Sequence, residues 1–221
     1  MDVAVVGAGP AGAWAAYTLA RRGARVTMFD ASHPREKPCG GGVTGRALAL
    51  VADALREPAL PRRVIRSARF IDSHRGGAAV VSLDDTPAGD SLIVASRAAF
   101  DAALLDAAQR AGAALQRLRV LDVAVSGDGV RIHTAGGTHH AGVVIGADGA
   151  NSLVRRRVSR PFPRAQLSIA TGFFAHGQTS DEVVIELVAD PAGYLWSFPR
   201  PDHLAIGICA QADSGDRKSV V

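Results

Sequence analysis

Residues 3–30, VAVVGAGPAGAWAAYTLARRGARVTMFD, decide the fold of this chain. Val3 to Val6 are short, apolar and mostly β-branched, the composition of a strand buried in a parallel sheet. Gly7, Gly9 and Gly12 follow at GxGxxG spacing, and Ala16 and Gly23 keep the later small-residue positions of the longer fingerprint. Each glycine has its own mechanical role. Gly7 allows the tight strand-to-helix turn, Gly9 allows close approach to a pyrophosphate, and Gly12 allows a helix seated close on the sheet. Pro10 and Ala11 lie inside this loop, and Ala11 to Arg22 read as a helix whose N-terminal amides face phosphates. After Gly23, Arg25 to Phe29 form a second strand closed by Asp30, an acid placed to accept hydrogen bonds from ribose hydroxyls. A lone GxGxxG carries little weight; strand, glycines, helix, strand and terminal acid in order read as a dinucleotide-binding βαβ unit.

Composition narrows the partner classes. The chain has 221 residues, enough for one large or two small domains with a sizeable core. Its pI near 9.7 comes almost entirely from arginine, with Lys37 and Lys218 the only lysines, and no aromatic residues interleave with the arginines. That pattern argues against a nucleic-acid surface and suits a GC-rich coding sequence. Cys39 and Cys209 make no disulfide framework and, like the seven histidines, have no metal-ligand spacing. Strand structure beginning at residue 3 leaves no room for a signal peptide, and no apolar stretch is long enough to span a membrane. The expected location is cytoplasmic.

Farther along, Cys39-Gly40-Gly41-Gly42 precedes an expected helix from Thr44 to about Leu55. Three consecutive glycines cost chain entropy: either the backbone passes close to something flat, or the stretch is a flexible loop. Arg63 to Asp72 and Ala78 to Leu83 alternate as strands around the turn SHRGG. Ser96 to Gly112 is an amphipathic helix with Phe100, Leu104 and Ala108 on one face. A β-meander is expected at Leu118–Val125, Val130–Thr134 and Thr138–His140, followed by a buried strand that ends in Asp148-Gly149. On the short helix after it, Arg155, Arg156 and Arg157 read first as a solvated face and second as a phosphate or membrane contact. From Gln166 the style changes to antiparallel strands at Gln166–His176, Glu182–Ala189, Gly193–Phe198 and His203–Ala210. Tyr194 and Trp196 share one strand face, which suits core packing as well as a cavity wall.

These residues resemble the FAD-dependent glutathione-reductase-like superfamily, in the branch of aromatic hydroxylases and geranylgeranyl reductases. The resemblance rests on the Gly7–Asp30 fingerprint, on Arg97 paired with GADGANS at residues 146–152, and on KPCGGG at 37–42 with YLWSFP at 194–199. It implies that Asp148-Gly149 supports the pyrophosphate and ribose, that Arg97 reaches the flavin side, and that Cys39–Gly42 lie beside the isoalloxazine. Tyr194, Trp196 and Phe198 would line a cavity for a long isoprenoid. Arg97 and the second motif favour FAD over NAD. Asp30 stands where glutamate is more usual, and Gly207-Ile208-Cys209 stands where the family pattern ends GxG, which bears on cavity shape.

The expected architecture is therefore α/β: a Rossmann-type FAD-binding parallel sheet with an inserted β-meander, over residues 1–60 and 92–160. A partial antiparallel-sheet substrate domain is expected over 61–91 and 161–215. The resemblance implies reduction of carbon–carbon double bonds in a geranylgeranyl-type chain, with NAD(P)H or another reductant as electron donor. Cys39 reads as a proton relay or cavity residue, or equally as a buried inert thiol. A flavin monooxygenase or halogenase and a non-catalytic nucleotide-binding fragment are the alternatives. An isoprenoid substrate leaves peripheral membrane association open, and the sequence is silent on oligomeric state. The ending Asp216–Val221 has no packing logic and matches the translation of a common sequencing adapter. A non-native tail is expected there, with the Gly-Asp-Ala flavin motif of the family encoded beyond it.

Overall fold

The computed structural model describes residues 1–55, 60–83 and 92–212. The expected tail at 216–221 lies outside them. The chain opens with β1 (Asp2–Val6), α1 (Pro10–Ala20) and β2 (Arg25–Phe29), then β3 (Gly42–Thr44) and α2 (Gly45–Val51). Next come β4 (Arg62–Val64), β5 (Ser67–Asp72), β6 (Gly77–Ser82), β7 (Leu92–Ala95) and the long helix α3 (Arg97–Arg110). β8 (Ala114–Gln116), β9 (Val120–Ser126), β10 (Gly129–Thr134), β11 (Gly137–Ala141), β12 (Val143–Gly146) and α4 (Leu153–Val158) follow. A short 3-10 turn at Arg164–Gln166 leads into β13 (Ser168–His176), β14 (Glu182–Ala189), β15 (Ala192–Pro199) and β16 (His203–Gln211).

Two compact units result. The first holds residues 1–36, 51–55, 60 and 97–162 of those described. Its parallel sheet has the order β12-β1-β2-β8, and Val3–Val6 are almost wholly buried, as expected of a strand covered on both faces. α1 packs against α3, and small side chains are buried on both helices: Ala13 and Ala16 on one, Ala107 and Ala108 on the other. The meander β11-β10-β9 forms its own sheet. Ala4, Val6 and Phe29 share a core with Val123, Val130, Ile132 and Val154, which joins the meander and α4 to the parallel strands. β8 carries no readable signal in the sequence, because Ala114-Leu115-Gln116 is too short to show alternation.

The second unit holds residues 37–50, 61–83, 92–96 and 163–212 of those described. Its six-stranded sheet runs β13-β16-β15-β14-β5-β6, antiparallel except where β14 pairs in parallel with β5. The smaller sheet β3-β7-β4 explains a difference from the sequence reading: residues 37–50 and 92–96 belong to this unit because Gly42–Thr44 pair with Leu92–Val94. The expected strand at Arg63–Asp72 is two strands, β4 and β5, that join different sheets across buried Ile65. The expected Thr44–Leu55 helix ends at Val51, and Thr44 is drawn into β3. Ile65, Val94 and Val183 are the buried centre of this unit, with Leu92, Ile185 and Phe198 packed on them.

Candidate functional site

In the first unit the Gly7–Gly12 loop joins the end of β1 to α1. Gly7 has φ +99°, a region that side chains rarely adopt, and a Cβ there would overlap the carbonyl of Ala147. A Cβ on Gly12 would overlap the Gly7 carbonyl oxygen. The loop, the start of α1 and the GADG segment after β12 are therefore locked together, and Ala147 N donates to Val6 O at 2.8 Å. Gly9 caps α1 without a side-chain hydrogen bond, Pro10 sits in the first turn, and the first turn carries no acid. The first-turn amides thus keep the positive end of the helix dipole for an anion. Asp148 is placed beside this loop, but its carboxylate accepts from Leu153 N at 2.6 Å and Val154 N at 3.3 Å, so it also caps α4.

Asp30 stands at the end of β2, where the sequence placed it. Its Oδ2 accepts from Ala8 N at 2.8 Å, and its Oδ1 accepts from Ser32 N at 2.7 Å and His33 N at 2.9 Å. Burial raises the Asp30 carboxyl, but these three amides and the neighbouring His33 outweigh it and hold the group well below the usual carboxylate range. Most of the acceptor capacity expected for ribose is thus already engaged by the loop itself. His33 Nδ1 lies 2.8 Å from Asp30 Oδ2, while His33 Nε2 lies 3.7 Å from Oδ2 of Asp101, which is fully buried. Arg97 completes the series, with Nε and Nη2 each 3.0 Å from a different oxygen of Asp101. Acid, imidazole, acid and guanidinium therefore run in a line from β2 to α3. His33 and Asp101 escaped the sequence reading. The Arg97–Asp101 spacing of one helical turn was a usable signal, whereas His33 showed none.

The second unit brings the other two predicted segments together. Tyr194, Trp196 and Phe198 share one face of β15, as the period of two requires. Gly40 and Gly42 sit against Phe198: a Cβ on Gly42 would come within 2.8 Å of Phe198 Cε1, and one on Gly40 would overlap the ring. The triple glycine has its flat neighbour within the unit. Trp196 is buried and lies across Gly207, its cross-strand partner, where a Cβ would overlap the indole. Tyr194 pairs across the strands with Cys209 and is half-exposed.

Arg200, directly after the YLWSFP segment, is a residue the sequence reading missed. It is buried, and its guanidinium donates to Gly40 O at 3.1 Å and Cys39 O at 3.2 Å. Gly41, at φ +87°, lets the backbone turn over that guanidinium, and a Cβ there would stand 3.0 Å from it. Nothing in the local pattern marks Arg200, since its partners lie about 160 positions upstream.

The first unit fits the phosphates of FAD: a bare helix N-terminus and a loop whose Gly7 and Gly12 leave no room for a Cβ, braced by Asp30 through Ala8 N. Among the described residues no group of His, Cys, Asp or Glu could hold a metal ion, and no helix is long and apolar enough to cross a membrane.

The comparisons with known proteins agree. A digeranylgeranylglycerophospholipid reductase from Methanothrix thermoacetophila is 31% identical over 218 residues, covering 92% of this chain and 55% of that protein. A geranylgeranyl diphosphate reductase from Synechocystis is 29% identical, covering 94% and 54% respectively. The chain therefore spans about half the length of the curated relatives it matches. The crystal structure of a geranylgeranyl bacteriochlorophyll reductase-like protein from Thermoplasma acidophilum superposes with TM-score 0.79 at 24% identity, over 95% of this chain and 56% of that one. The model of the FAD binding domain family matches residues 1–217, and the chain belongs to that family.

Proposed function

We propose that this chain serves an FAD-dependent reduction of carbon–carbon double bonds in a geranylgeranyl-type isoprenoid, the activity named for its relatives. The observation that carries the reading is the packing of Gly40 and Gly42 on Phe198, the last of the row Tyr194, Trp196 and Phe198 on one face of β15. Bound FAD would supply the hydride chemistry, taking its electrons from NAD(P)H or another reductant. The residues of this chain would bind and orient. Gly7, Gly9, Pro10, Ala11 and Gly12 would seat the pyrophosphate, with Asp30 fixing the loop through Ala8 N. Arg97, Asp148 and Gly149 would complete the cofactor side. An apolar, largely aromatic surface suits a polyprenyl chain, which offers no hydrogen-bonding groups and gains by leaving water. Cys39, Gly40, Gly41 and Gly42 would form the edge of that surface, with Cys39 the candidate for handling a proton. Reversible contact with membrane lipid would suit such a substrate.

The test is direct. The protein is loaded with FAD and reduced without oxygen. It is then given geranylgeranyl diphosphate, and the products are read by mass. Gain of two hydrogens per double bond supports the reading. An oxygenated or halogenated product on admission of air, or a flavin-loaded protein that leaves the isoprenoid unchanged, overturns it.

A further inference from the structure

Arg155, Arg156 and Arg157 end α4 in the first unit, and their side chains do different things. Arg155 is half-buried and shapes the segment that follows. Its Nε donates to Arg160 O at 2.9 Å, and its guanidinium lies 3.7 Å from the centre of the Phe162 ring. Ser159 N donates to Arg155 O at 2.8 Å and closes the helix, so the outgoing chain is folded back on α4. Every residue of the run 156–162, RRVSRPF, is nevertheless exposed. Two of them are apolar, with Val158 58% and Phe162 40% exposed. Among the described residues Asp122, on β9, is the one carboxylate that pairs with these arginines, and it takes Arg157. Asp148 is engaged at the other end of α4. The run therefore carries positive charge in excess, beside apolar side chains left in water.

The helix dipole favours a cation in the last turn of α4, which accounts for an arginine there but not for Val158 and Phe162 beside it. A nucleic acid would use the guanidiniums and leave Val158 idle. An anionic bilayer uses both, because its phosphates meet the arginines while its acyl boundary takes the apolar pair. We propose that the run 156–162 is the surface by which this chain docks on an anionic bilayer. Arg156, Arg157 and Arg160 meet lipid phosphates, Val158 and Phe162 enter the headgroup region, and Arg155 holds Phe162 in place. The proposal gives the membrane contact of the reductase reading its location, and it rests on that reading for its purpose but not for its geometry. Each arginine at a negatively charged surface contributes about fivefold to partitioning, an attraction confined to about 8 Å at physiological salt.

The experiment is flotation of the full chain with two kinds of vesicle, phosphatidylcholine alone and phosphatidylcholine mixed with phosphatidylglycerol. The parent should float with the mixed vesicles, and raised salt should release it. Arg156→Gln combined with Arg160→Gln should lower partitioning about 25-fold. Val158→Ser, too exposed to disturb the core, should also lower it, and by the same factor at low and high salt. Arg75→Gln removes one charge from the turn between β5 and β6, in the other unit, and should change nothing. No flotation with the mixed vesicles, equal flotation with both kinds, or a double variant that binds like the parent overturns the proposal. Equal losses from Arg75→Gln and from Arg156→Gln alone do the same, as does binding of an RNA oligonucleotide in place of vesicles. The vesicles hold no isoprenoid, so failure of isoprenoid reduction would overturn the reductase reading and leave this result standing.

Discussion

Arg97 and Asp101, one turn apart on α3, form a two-pronged ion pair with both contacts at 3.0 Å, and Asp101 is fully buried. Such a pair is weak support for stability as a whole but costly to break on one side, because the survivor is left charged in a poor solvent. Asp101→Ala should therefore cost about 3–5 kcal/mol in denaturant unfolding. Asp101→Ala combined with Arg97→Met should cost less than Asp101→Ala alone. A double variant at least as unstable as the single one would mean the pair is not the stabilising unit.

Acid should act through Asp30. Its carboxyl sits below the ordinary 3.8 in the folded protein, so its contribution is complete above that value and is lost as pH falls through it toward the folded one. Asp30→Asn should lower stability at neutral pH and flatten its fall on acidification. Parallel acid limbs for parent and variant would contradict the hydrogen-bond pattern at Ala8, Ser32 and His33.

The fingerprint glycines make separate predictions. Gly12→Val forces α1 off the loop, so the purified protein should lose bound flavin and its yellow colour. Gly7→Ala adds a strained φ to the overlap with Ala147 and should also lower the melting temperature. Unchanged flavin content in both variants would argue against a pyrophosphate at this loop.

Gly40 and Phe198 can be tested as a pair. Gly40→Ala places a methyl group in the ring and should cost about 1–3 kcal/mol as an overpacked site. In a Phe198→Leu background the same change should cost clearly less, a coupling that a double-mutant cycle measures. Additive losses would mean the glycine is needed for some other reason.

Arg200→Met should leave the Gly40 and Cys39 carbonyls without donors, at about 1–3 kcal/mol each. The freed segment should expose Cys39, whose alkylation should accelerate while Cys209 serves as the reference thiol. Arg200→Lys should restore part of the protection. Equal labelling rates in all three proteins would count against the clamp.

What could be read from the sequence was whatever repeats or clusters locally. The βαβ fingerprint, the amphipathic α3, the meander and the late antiparallel strands all carry periodicity or turn residues, and each stands where it was expected. β7 and β8 are short runs without alternation, so only their partners define them. The same holds at the sites. Gly7, Gly12 and Cys39–Gly42 announce themselves by composition, but the partners that explain them do not: Ala147 for Gly7, Phe198 for Gly40, Arg200 for Gly41. Those are contacts between distant stretches, and a single sequence records only one side of each. His33 shows the limit most clearly, as a lone histidine in a polar loop whose meaning comes entirely from Asp30 and Asp101.

The division into two units has a spectroscopic consequence. Each carries a single tryptophan, Trp14 on α1 stacked on Tyr17, and Trp196 on β15 beside Phe198. Intrinsic fluorescence of Trp14→Phe and Trp196→Phe variants can therefore follow the melting of each unit separately. Coincident curves would describe one cooperative protein, and displaced curves two independently stable halves.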